Sequence, residues 1–154
     1  MMTQSKIIPE KTYERIAHAM PILTIDILLK DSVEDKYILL LRNNPPLKHE
    51  LWTPGGRIFK NENFDEAASR KINEELGVKI SPEKFFFRGV LDFRSNSHRF
   101  KHVKDGLQTV SMVYGCTESV DIKNILIDDQ SDTFQLSSTI PYAFEENSVN
   151  QFIE

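Results

Sequence analysis

Trp52-Thr-Pro-Gly-Gly-Arg-Ile-Phe-Lys-Asn-Glu62, running on through Asn63-Phe-Asp-Glu-Ala-Ala-Ser-Arg70-Lys-Ile-Asn-Glu74-Glu75-Leu-Gly77-Val78, is the stretch around which this chain is organised. It reads as a glycine loop feeding an acid-ended helix. Pro54 lacks a backbone donor, and Gly55-Gly56 permits positive φ and close backbone approach, so a tight loop is expected there rather than a strand or helix. From Phe64 the apolar residues Phe64, Ala67, Ala68, Ile72 and Leu76 recur at three- and four-residue spacing, which predicts one buried helical face. Gly77 is placed to cap that helix. Arg70 and Glu74 are four apart, as are Lys71 and Glu75, so two charge pairs stack on neighbouring strips of its surface. One or both acids are candidates to serve a metal; the structural alternative is an ordinary amphipathic helix with solvated acids.

At 154 residues with 40% hydrophobic side chains, the chain suits a single domain over residues 1–154. A net charge of -4 supplies no global field for nucleic acid or anionic membrane, so an anionic ligand needs locally placed arginines and duplex binding is not expected. One cysteine, Cys116, excludes an intramolecular disulfide and suits a reducing compartment. No window approaches a membrane span, and the polar start from Met1 to Lys6 does not resemble a signal peptide, so a cytoplasmic setting is expected.

Pro9 suits a first helical position, and Tyr13, Ile16, Ala17 and Met20 mark one face of a short helix stopped at Pro21, a segment for packing or dimer contact. The apolar runs Ile22–Leu29 and Lys36–Arg42 flank a polar turn and read as a strand pair. Asp26 interrupts the first run, and a carboxylate there costs free energy unless it is paired or belongs to a site. Arg42 opens a proline-stiffened loop towards Trp52, and its guanidinium is a candidate clamp for a diphosphate. Phe85–Phe93 reads as a strand whose aromatics belong to the core. Arg94–Gly106 is a polar, basic loop in which His98, Arg99, Lys101, His102 and Lys104 are candidates to meet phosphates or supply a base; the alternative is a solvated hairpin tip. Thr109–Thr117 alternates as a strand, with Cys116 as a buried small hydrophobe. Asp128–Leu136 carries ligand-type oxygens in a loop before a short strand, and Pro141–Phe152 reads as a C-terminal helix or frayed tail.

The glycine loop and helix together resemble the Nudix hydrolases, whose box is G-x5-E-x7-R-E-U-x-E-E-x-G-U with U aliphatic. Gly56, Glu62, Arg70, Ile72, Glu74, Glu75, Gly77 and Val78 fall on it. The one departure is Lys71, standing where the family has its first helix glutamate, normally a magnesium ligand. The resemblance implies an α/β fold, a Nudix-type α/β/α sandwich with a mixed curved sheet. It also implies a divalent cofactor, magnesium or manganese, and Lys71 points to fewer bound ions than a full site, with one expected.

Over most of its length the chain resembles a narrower branch, the GDP-mannose mannosyl hydrolases, in which the box is abbreviated and water attacks sugar C1. Pro21–Asp26 resembles the branch's first strand, Leu41–Pro45 its R-x-N-R-P stretch, Trp52–Arg57 its W-F-V-P-G-G-R, and Asp128–Phe134 its D-E-Q-H-D-D-Y. That likeness implies Arg42 and Arg57 on the diphosphate with Asn44 beside them, Asp26 near the reacting sugar, and the ion on the Gly55 carbonyl, Glu75 and Gln130. The branch's general base is the histidine after the glutamine, and here that position is Ser131. A serine hydroxyl does not take up a proton near neutral pH without its own base, so either His98, His102 or Asp132 substitutes or glycosyl hydrolysis is not the reaction. The second arginine of R-x-N-R-P is absent, and both Glu74 and Glu75 are present where the branch keeps only the second.

Three functions follow. The first is hydrolysis of GDP-mannose or a related nucleotide sugar at C1, giving nucleoside diphosphate and free sugar. The second takes the same substrate class but attacks phosphorus, with Glu74 or Glu75 helping to activate water. The third is a nucleotide-binding module with little turnover, motivated by Lys71 and Ser131. Each takes a small-molecule nucleotide sugar as partner, and a homodimer through residues 1–20 is implied by the resemblance.

Overall fold

β1 (Ile22–Leu28) lies at the centre of the computed structural model, which describes residues 8–44, 47–96, 106–127 and 131–141. It pairs antiparallel with β4 (Gly55–Arg57) on one side and parallel with β6 (Leu107–Cys116) on the other. β5 (Phe85–Ser95) runs antiparallel to β6 and completes a mixed four-stranded sheet of order β4-β1-β6-β5. A second, antiparallel sheet places β2 (Tyr37–Arg42) between β3 (Leu51–Trp52) and β7 (Ser131–Ser137). Helices α1 (Glu10–Ala19) and α2 (Phe64–Leu76) complete an α/β fold with a mixed sheet, the class expected. No helix among the described residues is long and apolar enough to cross a membrane.

The runs read as a strand pair are not one. β1 and β2 meet only at their turn, where Lys30 bridges Tyr37 and the Ile38 N–H donates to the Leu29 carbonyl at 2.9 Å, and they then enter different sheets. Both runs are apolar on both faces, which suits two central strands better than the two arms of a half-solvated hairpin. Ile25, Ile27 and Leu29 from the first sheet and Ile38 and Leu40 from the second share one core cluster with Ala67, Ala68, Ile72 and Leu76 of α2. Burying each of the larger side chains contributes about 1.5–3 kcal/mol. Gly77 closes α2 in the left-handed region at φ 66°, its N–H donating to the Asn73 carbonyl at 3.0 Å.

Other expectations are corrected at the edges. Phe85 is buried, but Phe86 and Phe87 are 40% and 49% exposed, because β5 is the outer strand of its sheet and these rings lie beyond the core. The β5–β6 register shifts between Phe87 and Gly89, leaving Arg88 as an extra residue in the ladder. Met20 is exposed because α1 ends at Ala19 and the chain turns extended, while Tyr13, Ile16 and Ala17 pack on Ile22 and Leu107. Cys116 is only partly buried, and burial pushes its thiol pKa up.

The Pro54-Gly55-Gly56 segment also departs from the loop expected of it, since Gly55–Arg57 forms β4. Here the glycines are needed for proximity as well as freedom. A Cβ on Gly55 would fall 2.1 Å from the Ile25 carbonyl oxygen, so only glycine lets this edge strand lie against β1. Gly55→Ala is therefore expected to destabilise the protein by about 3 kcal/mol or more, read from chemical denaturation.

Asp26, 7% exposed, ties the two sheets together. Its Oδ1 accepts from Trp52 Nε1 of β3 at 2.8 Å and from Thr53 Oγ1 at 2.6 Å, and its Oδ2 accepts from the Ser111 hydroxyl of β6. Burial raises its pKa, and the hydrogen bonds from Ser111, Thr53 and Trp52 and the charge of Arg42 offset only part of that rise. A raised folded-state pKa means that stability falls as pH climbs from the unfolded carboxyl range, near about 3.9, through the folded value, and is flat above it. Asp26→Asn keeps the shape, an oxygen for Trp52 and Thr53, and an N–H for Ser111. Its stability at neutral pH should lie within about 1 kcal/mol of the parent, with that acid-side slope removed. Asp26→Ala leaves three buried donors and should cost about 3–5 kcal/mol, read from chemical denaturation across pH for both variants.

Candidate active site

The site grows from the way α2 holds the chain segment before it. The Arg70 guanidinium reaches back to Glu62, Nε donating to Oε1 at 2.6 Å and Nη2 to Oε2 at 3.0 Å. Nη2 also donates to the Arg57 carbonyl at 3.0 Å, Nη1 faces Glu74 at 3.1 Å, and the group lies 3.8 Å from the centre of the Phe59 ring. Glu62 accepts in addition from the Phe59 N–H at 2.9 Å. Burial works against the Arg70 charge, but the hydrogen bonds and charges of Glu62 and Glu74 outweigh it and its pKa is raised, so the guanidinium stays charged. The segment from Arg57 to Glu62 is thereby clamped to the helix.

One turn further along α2, the Glu75 carboxylate meets the glycines. Its Oε2 accepts from the Gly55 N–H at 2.8 Å. The β1–β4 register explains why that N–H is available. The Ile27 N–H donates to the Pro54 carbonyl at 2.9 Å, so Gly55, opposite Asp26, occupies the non-hydrogen-bonded position and turns both its N–H and its carbonyl away from β1. The Lys71 ammonium lies 3.3 Å from Glu75 Oε1 and 3.3 Å from Glu74 Oε2. Its stem crosses Gly56, where a Cβ would come within 3.0 Å of Lys71 Cε.

The residues expected to form a site are therefore gathered in part. Gly55, Arg57, Glu74 and Glu75 share this corner, and the Arg57 guanidinium lies 4.9 Å from the Phe59 ring and 6.0 Å from that of Tyr13. Arg42 stands at the end of β2, near enough for its charge to lower the Asp26 pKa. Asn44 is exposed just beyond it. Asp26 is opposite Gly55 in the ladder, but its carboxylate is engaged between the two sheets. His98, His102 and Gln130 lie outside the described residues, as do the side chains of Ser131 and Asp132.

Reading the sequence missed the Glu62–Arg70 clamp, because an eight-residue separation across a loop follows no helical or strand period. It also missed Ser111, whose only signal was a small hydroxyl at a buried position of an apolar strand. Among the described residues no three of Asp, Glu, His and Cys converge as a metal cluster. The outward Gly55 carbonyl and the Glu75 carboxylate are hard oxygen donors that fit one magnesium-like ion keeping much of its water. A second ion on Glu74 does not fit, since Arg70 and Lys71 already take its oxygens.

A NUDIX domain family model matches residues 20–137. The low-salt glycan biosynthesis protein Agl8 of Haloferax volcanii is 36% identical over 76 residues, 49% of this chain and 47% of that protein, so the chain matches about half the length of this curated relative. In structure, the chain is similar to the MutT protein of Methanosarcina mazei, with TM-score 0.67, 17% identity, and 88% and 95% of the two chains covered. It is also similar to the NUDIX domain of Shewanella oneidensis NrtR, solved with ADP ribose, at TM-score 0.59, 19% identity, and 90% and 87% coverage. At these identities the structures establish the fold, and the family model, spanning most of the chain including the clamp and the acid-ended helix, makes this chain a member of the Nudix family.

Proposed function

We propose that this chain hydrolyses a nucleotide sugar, GDP-mannose or a relative, by water attack at sugar C1, releasing nucleoside diphosphate and free sugar. The observation that carries the reading is the state of the helix acids. Glu74 is paired with Arg70 and Lys71, and Glu75 accepts from Gly55 and faces Lys71, so cations and a main-chain donor compete with an attacking water for both carboxylates. Attack at phosphorus assisted by one of these glutamates is correspondingly disfavoured. The sugar-linked name of the Haloferax relative, a glycan biosynthesis protein, supports the same substrate class.

In this mechanism Arg42 and Arg57 grip the diphosphate, Arg57 being held in place by Phe59, Tyr13 and the bond from Arg70 to its own carbonyl. The water oxygen forms a bond to C1, the C1–oxygen bond to the diphosphate breaks, and the departing oxygen keeps the electron pair. The water proton passes to a base for which His98, His102 and Asp132 are the candidates. A magnesium or manganese ion, held by the Gly55 carbonyl and Glu75 with Gln130, would neutralise charge on the departing diphosphate. Asp26, committed to Trp52, Thr53 and Ser111, sets the position of the β1–β4 corner on which the sugar would sit. The reading treats residues 1–154 as one domain.

Incubation with magnesium and a panel of nucleotide sugars in oxygen-18 water tests it directly. Label is expected in the free sugar; label in a phosphate would establish attack at phosphorus, and no turnover would favour a binding module. Arg57→Ala should lower kcat/KM by about 100-fold or more through loss of a charge-assisted phosphate contact. Glu75→Gln should blunt the response to magnesium, and an unchanged magnesium titration would remove Glu75 from the ion's ligands.

A further inference from the structure

We propose that Lys71 is a resident cation, an ammonium built into the site that stands in for one divalent ion and holds the remaining ion site weak until substrate brings its own negative charge. The inference rests on the cation site of the proposed function and adds a rule for how that site is loaded.

The argument begins with Gly56. This glycine, at φ 151°, is crossed by the Lys71 stem, and any side chain there would meet Cε at 3.0 Å and Nζ at 3.3 Å. The lysine is thus seated in a slot that Gly56 of β4 leaves open for it. Its side chain is only 14% exposed, against 43% for Glu74. From that slot the ammonium faces Glu74 Oε2 and Glu75 Oε1, both at 3.3 Å, while Arg70 Nη1 lies 3.2 and 3.1 Å from the two oxygens of Glu74. Two carboxylates on adjacent residues repel each other, and a screened, half-buried ammonium between them removes most of that repulsion with no metal present.

The cost falls on an incoming ion. A divalent cation on Glu75 and the Gly55 carbonyl must sit within a few ångströms of a fixed positive charge that already interacts with Glu75 Oε1. Repulsion between a single and a double charge at such a distance is large in a partly buried site, so the ion binds far more weakly than the same oxygens would allow without Lys71. A bound diphosphate reverses the balance, because its negative charge offsets both cations. The protein alone is therefore a poor metal binder, and the ion enters with the substrate's phosphates. Removing the ammonium while keeping the stem length should release the ion site from this control.

The test uses residues 1–154 and Mn2+ alone, with unbound ion counted by electron paramagnetic resonance. Lys71→Met is expected to bind one Mn2+ at least about tenfold more tightly than the parent, whereas Lys71→Arg, which keeps the charge, should stay as weak as the parent. Without metal, Lys71→Met should melt below the parent because Glu74 and Glu75 repel, and Mn2+ should recover the loss. Lys71→Glu should take up a second ion. Equal Mn2+ affinity in the parent and Lys71→Met, or two ions bound by the parent, overturns the inference alone. No binding by any variant overturns both the inference and the ion site beneath it, independently of which sugar is hydrolysed.

Discussion

The arrangement depends first on one partly buried guanidinium. Arg70 satisfies its donors with both oxygens of Glu62, with Glu74 and with the Arg57 carbonyl, and sits over the Phe59 ring. A lysine offers no planar fork and so could not make this set of contacts. Because the bond to Arg57 is made to the main chain, the same residue that anchors the helix also fixes the strand carrying a phosphate-binding candidate. The glycine strand, the acid-ended helix and the segment between them are thus tied together through one side chain.

Around that anchor the protein handles buried charge by sharing it. Asp26 pays part of the cost of leaving water with three hydrogen bonds drawn from two sheets, and its pKa is still raised. Glu62 and Arg70 are partly buried and pair with each other. At the mouth of the site the acids are paired within the helix itself, so the surface offered to a ligand has less free negative charge than the sequence of adjacent glutamates implies.

The acid-ended helix was legible from sequence because its apolar period, its charge spacing and Gly77 all act within a few residues. The box residues then supplied the family. The division into two sheets was not legible, since Ile22–Leu29 and Lys36–Arg42 lack the alternation that tells a strand which face to bury. Pro54-Gly55-Gly56 read as a loop because local rules see the glycines' freedom and miss their closeness to Ile25. Asp26 was flagged as a costly carboxylate, yet its partners lie 26, 27 and 85 residues away, and no spacing rule connects them.

The extra residue at Arg88 has a consequence for how copies of this protein meet. β5 is a long outer strand bearing exposed Phe86, Phe87 and Val90, the combination that invites another chain to add itself as a further strand. Its ladder is broken between Phe87 and Gly89, so the exposed edge offers no uninterrupted row of main-chain groups along its full length. An intruding strand would have to reproduce the same kink to pair throughout. Among the described residues, the bulge thus interrupts strand addition along the edge where exposed apolar side chains would otherwise favour it.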